Sequence, residues 1–288
     1  MPSSSNSGIT PSSSRLVLLG TGTPNADPDR SGPALAVVVD DTPYLVDCGP
    51  GVVRRAAAAH QNGIAGLAVE KLNRVFITHL HTDHTLGYAD LILTPAVLDR
   101  PGPLQAFGPP GLKKMTEHLL AAYAEDICCR IDGPEAGNAA AYEVEVREIE
   151  PGVVHEDEQV RITAFPVTHA DWRCAYGYRF DAPDRVIVIS GDTTPNRDLI
   201  EQARGCDILV HEVYSANAFQ DLPDKWRHYH AQAHTSAREL AAIANEVRPK
   251  LLVLTHQLLW GATEAELLAE IREHYDGEVR SGRDLDVY

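Results

Sequence analysis

Thr78-His79-Leu80-His81-Thr82-Asp83-His84 follows directly on the apolar run Val75-Phe76-Ile77. Imidazoles and a carboxylate at this density suit Zn²⁺, and also Mn²⁺ or Fe²⁺, while the absence of thiolates argues against a closed structural zinc site. In an extended or turn segment His79 and His81 project to one side. Asp83 and His84 then fall on the following turn and can face a second ion. Four ligands do not complete two tetrahedral sites, so distant parts of the chain must supply the rest.

Four further apolar runs stop at a residue that can bind a metal or move a proton. Residues 162–168 lead into His169, 186–191 into Asp192, 208–210 into His211-Glu212, and 251–255 into His256. Buried strands read as such runs, and their ends project onto one rim where loops bring side chains together. His169, Asp192 and His256 make up the deficit, and the Asp192 carboxylate can bridge two ions. Several imidazoles and carboxylates in one cavity would be costly unless a cation or a hydrogen-bond network satisfied them.

Around these runs the chain alternates strand and helix patterns, which predicts a layered α/β domain over residues 15–288. Strands are expected at 15–19, 34–39 and 44–46, as a meander, and helices at 52–61, 112–126, 236–247 and 264–275. Ser236 with Glu239 and Thr263 with Glu266 form capping boxes opening the last two. Residues 1–14 lack the basic start and apolar core of a signal peptide and read as a disordered polar tail.

With 25 Lys and Arg against 41 Asp and Glu, the formal charge is −16, which disfavours binding to a nucleic-acid backbone. No apolar stretch approaches the roughly 20 residues of a bilayer span, so a cytoplasmic protein without membrane contact is expected. Five cysteines without a Cys-x-x-Cys pair read as reduced thiols. Gly20-Thr21-Gly22 and Gly49-Pro50-Gly51 lack the Lys-Ser/Thr of a phosphate loop and read as tight turns. His60, His118, His155 and His274 have no converging partner, and His228 and His230 read as a solvated loop, with a substrate-pocket role as the alternative.

The His79-to-His84 segment resembles the His-x-His-x-Asp-His signature of the metallo-β-lactamase fold, a four-layered αββα sandwich with its metals at one edge. Leu19-Gly20-Thr21-Gly22-Thr23-Pro24, Asp47-Cys48-Gly49-Pro50-Gly51, Gly108-Pro109-Pro110-Gly111-Leu112, Tyr176-Gly177-Tyr178-Arg179-Phe180, Ser190-Gly191-Asp192-Thr193 and Leu254-Thr255-His256 resemble, in order, the ribonuclease Z and arylsulfatase-like branch. The resemblance implies two divalent ions, normally zinc. It places His79, His81 and His169 on the first, Asp83, His84 and His256 on the second, and Asp192 between them. It also implies that His234, supported by Glu212, protonates the leaving group.

The activity so implied is hydrolysis of an ester by a hydroxide bridging the two ions, with Asp83 orienting the water or taking its proton. Ribonuclease Z carries a long basic arm before the strand that ends at Asp192, where this chain has only Asp181-Ala182-Pro183-Asp184-Arg185. That gap and the acidic charge favour a small phosphodiester or aryl sulfate over precursor tRNA, which stands as the alternative. A lactonase or an iron-dependent oxidative enzyme of the same fold ranks lower. A homodimer is expected by analogy alone.

Overall fold

The computed structural model describes residues 13–288. Its first sheet runs in sequence order: β1 (Ser14–Gly20), β2 (Ala34–Val39), β3 (Thr42–Val46), β4 (Arg74–Phe76), β5 (Leu104–Gly108) and β6 (Val144–Glu148). The first three strands form the expected antiparallel meander, and β3 through β6 pair in parallel. The second sheet is ordered β13 (Val279–Ser281), β12 (Leu251–Leu258), β11 (Ile208–Tyr214), β10 (Val186–Ile189), β9 (Tyr176–Asp181), β8 (Arg161–Pro166) and β7 (Gly152–Glu156).

Alternation along the strands explains why the sheets stack. In β2, Leu35, Val37 and Val39 face the second sheet beside Leu16, Leu18, Phe76, Tyr178 and Val253, while Ala34, Ala36 and Val38 face outward. The outward set is covered by α1 (Val52–Gln61), α3 (Tyr88–Val97) and α4 (Leu112–Ala122); the single-turn α2 (Thr82–Thr85) lies between α1 and α3, and α5 (Ala124–Asp132) follows α4. On the far side, α6 (Arg197–Ala203), α8 (Ala237–Val247) and α9 (Glu264–Arg272) cover the second sheet, with α7 (Asp224–Ala233) lying ahead of α8. Both sheets are buried on two faces, hence the unbroken apolar runs. The result is one αββα sandwich.

Both capping boxes form, Ser236 with Glu239 at α8 and Thr263 with Glu266 at α9. Several elements depart from expectation. The helix expected over 112–126 breaks at Tyr123, because α4 packs on the first sheet while Ile127 and Ile131 of α5 turn to a separate cluster with Ala96, Ala141 and Tyr142. β11 and β12 do not stop at His211-Glu212 and His256 but run through them, to Tyr214 and Leu258. His228 and His230 lie on the helix α7 rather than in a loop. Of the polar tail, residues 1–12 lie outside the described residues, while Ser14 opens β1, buried against Asp184.

All five cysteines are free thiols. Among the described residues, no helix is long and apolar enough to cross a membrane.

Candidate metal centre

The ends of β4, β8 and β10 with the turns after them, and a bulge inside β12, deliver the polar residues to one edge of the sandwich. β4 leads through Ile77 and Thr78 to His79 and His81, and α2 then carries Asp83 and His84. Gly49 lies under this segment so closely that a Cβ would come within 2.5 Å of the Asp83 carbonyl oxygen. Asp192 follows β10 through Gly191, whose φ of +61° suits glycine.

His256 arrives by a different device. In the β11–β12 ladder Glu212 faces Thr255 and Val213 faces Gln257, so His256 is the unpaired residue of a bulge, with φ +43°. A bulge re-aims its side chain, and a non-glycine residue in this backbone region is uncommon.

The donor atoms form two adjoining groups. His81 Nδ1 lies 2.9 Å from His79 Nε2 and 3.1 Å from His169 Nε2, with Asp192 Oδ2 at 4.0 and 3.9 Å from the latter two nitrogens. Asp83 Oδ2 lies 3.4 Å from His84 Nε2 and 3.3 Å from His256 Nε2, and Asp192 Oδ2 lies 3.4 Å from each. Asp192 thus touches both groups. A further set, Asp192, His234 and His256, also brings one donor atom from each within 4.8 Å of the others.

A layer behind these residues fixes their ring orientations. Asp47 accepts from the Thr78 backbone amide at 2.8 Å and from His84 Nδ1 at 2.7 Å, and the Thr78 hydroxyl bridges Asp47 to His79 Nδ1. His169 Nδ1 donates to the Ala233 carbonyl at 2.7 Å. With Nδ1 protonated and held outward, Nε2 of His79, His84 and His169 turns its lone pair to the centre, the usual arrangement around a metal. Trp172 Nε1 sits 2.7 Å from His81 Nε2 on the outer side.

The electrostatics point the same way. Burial lowers and the Asp192 and Asp47 carboxylates raise the His84 imidazole, which ends well above its ordinary pKa. Burial likewise opposes, and Asp192 and Asp83 outweigh, so that His256 is raised as well. Burial and the surrounding imidazoles push His79 well down. The two carboxylates therefore draw positive charge between themselves. Buried imidazoles and carboxylates suit a divalent ion of the zinc, manganese or iron type, and His84 Nε2 is buried with no hydrogen-bond partner in the protein.

Beside the centre, Glu212 Oε1 accepts from the amides of Thr193 and Thr235 and from His234 Nδ1, at 3.1, 3.1 and 3.2 Å. Burial, then the Asp192 charge, raises Glu212 well above the carboxylate range, and burial brings His234 down to about 4. His211 points away from this group, its Nδ1 closed on the Glu212 carbonyl.

The centre opens on both flanks of α7. On one flank lies a cavity of about 490 Å³, lined by His81, Asp83, Asp192, His234 and His256 on its floor and by Leu222, Trp226, Tyr229, His230, Leu258 and Trp260 on its walls. On the other, a shallow groove runs from His81 past Trp172 and is lined by Asp171, Arg173 and Lys225; among the described residues neither cation is in an ion pair, and the Lys225 ammonium lies 5.1 Å from the centroid of the Trp226 ring. Asp47, Trp172 and Trp260 were not expected as site residues, whereas His230 takes the substrate-pocket place given as its alternative.

Residues 42–257 match the beta-lactamase superfamily domain, and the chain belongs to that superfamily. Its relatives include ribonuclease Z of Mycobacterium bovis (strain BCG / Pasteur 1173P2), 34% identical over 275 residues that span 94% of this chain and 96% of that one. Ribonuclease Z of Mycolicibacterium gilvum (strain PYR-GCK) is 33% identical over 276 residues, 94% of each chain. Among solved structures, the metallo-beta-lactamase fold protein YhfI from Bacillus subtilis superposes with a TM-score of 0.73 at 17% identity, over 96% of this chain and 99% of that one. Human tRNase Z, short form, superposes with a TM-score of 0.71 at 22% identity, over 95% and 98%.

Proposed function

We propose that the chain is a two-metal phosphodiesterase whose substrate is RNA, cleaved in the manner the name ribonuclease Z denotes. The observation that carries this reading is the match to ribonuclease Z relatives over nearly the whole of both chains. It revises the weight given to the short segment 181–185. Relatives covered to 96% of their length by 275 residues have no room for a long arm either, so its absence does not set this chain apart. The charge of −16 belongs to the surface as a whole, whereas the groove beside the centre carries two cations, Arg173 and Lys225, against one carboxylate, Asp171.

His79, His81, His169 and Asp192 would hold one ion, and Asp83, His84, His256 and Asp192 the other, with zinc the first expectation. Two such ions supply Lewis acidity to a phosphoryl oxygen and lower the pKa of water toward neutrality. Asp83, on the floor of the cavity, would orient the attacking water and take its proton. Glu212 holds His234 through Nδ1, which leaves Nε2 for the leaving oxygen. An anionic diester beside His234 favours its protonated form, so the acid is charged as substrate enters.

A second reading, a small phosphodiester or aryl ester, is favoured by the size and aromatic walls of the 490 Å³ cavity. One panel separates the two: precursor tRNA, bis-p-nitrophenyl phosphate, p-nitrophenyl sulfate and a lactone, each with the purified protein before and after chelation. RNA cleavage lost on chelation and restored by Zn²⁺ or Mn²⁺ is the expected result. Cleavage of the small esters alone would replace the first reading with the second. Full activity after metal removal would overturn both.

A further inference from the structure

The phosphodiesterase reading leaves one part of the cavity without a task. Its floor holds the metal donors and His234, but its walls are an aromatic row. The Trp226 ring lies nearly parallel to His230, 29° between planes with centroids 5.9 Å apart, and His230 packs against Trp260 at 4.6 Å. Trp226 is 47% exposed at the rim of a polar site, with only the flexible Lys225 side chain reaching over its ring, 5.1 Å from the centroid. Leu222 and Leu258 fill the gaps between the rings.

The row is held in place from behind. Trp260 adopts φ +46°, followed by Gly261 at +96°, a left-handed turn that sets the ring against Tyr214 and Phe219 at 5.6 and 6.2 Å. The segment 215–217 leading toward α7 is tied to α9 by Glu270, which accepts from the Ser215 hydroxyl and the Ala216 amide. Among the described residues His230 has no hydrogen-bond partner through either ring nitrogen, and its Nδ1 is buried. A hydrophobic core would not keep an indole half in water, and a solvated helix face would not pack an unpartnered imidazole against two indoles, one nearly parallel to it and one tilted at 53°.

From this geometry we infer that Trp226, His230 and Trp260 form a nucleobase subsite, which receives the base of a nucleotide whose phosphate lies at the metal centre. The inference rests on the phosphodiesterase reading and deepens it, since it names a planar heteroaromatic base as the recognised group. Stacking tolerates any base, because each has a π-face. An imidazole without a protein partner adds one hydrogen bond to a base edge. The groove across α7, with Arg173 and Lys225 outnumbering Asp171, is then free to carry the strand beyond that nucleotide.

The test is calorimetric titration of the metal-loaded full chain with adenosine 5′-monophosphate, cytidine 5′-monophosphate and ribose 5-phosphate. These share the phosphate and differ in the base. The nucleotides should bind roughly 10- to 100-fold tighter than ribose 5-phosphate. Trp226→Ala should erase most of that ratio while leaving the affinity for ribose 5-phosphate unchanged, and Trp226→Phe should restore part of it. Trp226 is exposed enough that its removal does not threaten folding. Equal affinities for the nucleotides and ribose 5-phosphate would overturn the subsite, as would a preference that survives Trp226→Ala. If bis-p-nitrophenyl phosphate is still hydrolysed in that event, only the subsite has failed. If neither phosphate binds and no diester is cleaved, the parent reading has failed with it.

Discussion

Replacing Asp47 with Asn tests the layer behind the metal donors without disturbing the backbone. Asp47 has φ +60°, a conformation that Asn also tolerates, so Asp47→Asn changes only the chemistry. Asp47 offers two acceptor oxygens, one to the Thr78 amide and one to His84 Nδ1, and Asn offers one. If that oxygen serves Thr78, the amide NH₂ faces His84 Nδ1 and can only donate to it. The imidazole proton then moves to Nε2, the atom 3.4 Å from both Asp83 and Asp192, and the lone pair is lost to the centre. If the oxygen serves His84 instead, the buried Thr78 amide goes unpaired, at about 1–3 kcal/mol. Outer-layer changes of this kind typically weaken a metal site 10- to 100-fold, or about 1.4–2.7 kcal/mol. Competition against a chromophoric chelator, with metal-free melting as the control for folding, should show that loss. A variant that melts like the parent and binds metal as tightly would refute the orienting role of Asp47.

Three other outcomes are expected. His234→Ala should lower turnover of a phosphodiester about 10²- to 10⁴-fold while metal analysis finds the same ion content; a lost ion would instead place His234 among the ligands, as its grouping with Asp192 and His256 permits. Arg100 is fully buried and its guanidinium donates only to carbonyls, those of Leu72, Leu91, Ile92, Gly102 and Ala141, so Arg100→Met should cost about 3 kcal/mol or more in urea unfolding. Burial raises the Asp157 carboxyl, but hydrogen bonds from Tyr44, His155 and the amides of Gln159 and Val160 prevail and hold it at about 2. Because the folded pKa is below the unfolded one, this stabilisation is present above about pH 4 and lost as pH falls through 2. After solvent screening it is worth about 1 kcal/mol, so Asp157→Asn should be less stable by that margin near pH 7, with the gap closing in acid; a gap independent of pH would contradict the assignment.

What the sequence disclosed depended on range. His79, His81, Asp83 and His84 are legible because their spacing is local, and the strands are legible because two buried faces leave a continuous apolar run. The capping boxes of α8 and α9 need only four residues each. Asp47 was visible as part of a glycine-rich turn, but its task is a contact with His84 across 37 positions, which no local pattern carries. α7 was missed because only Ala233 of its ten residues is buried, so the helix has no apolar stripe to read. His211 and His256 looked like strand ends because a polar residue breaks an apolar run; both strands continue because backbone pairing resumes beyond them, Val213 with Gln257 and Tyr214 with Leu258.

The bulge that presents His256 also narrows what this edge of the molecule can become. A left-handed backbone there admits Gly, Asn, Asp and His with little penalty and resists β-branched or bulky residues. Of those four, only Asp keeps a strong metal donor in place of the imidazole. Substitution at this position therefore has one conservative exit, from a neutral nitrogen to an anionic oxygen, and that exit leads toward harder cations such as Mn²⁺ and Mg²⁺. Backbone conformation, rather than the ligand's own chemistry, sets the direction in which metal preference can drift.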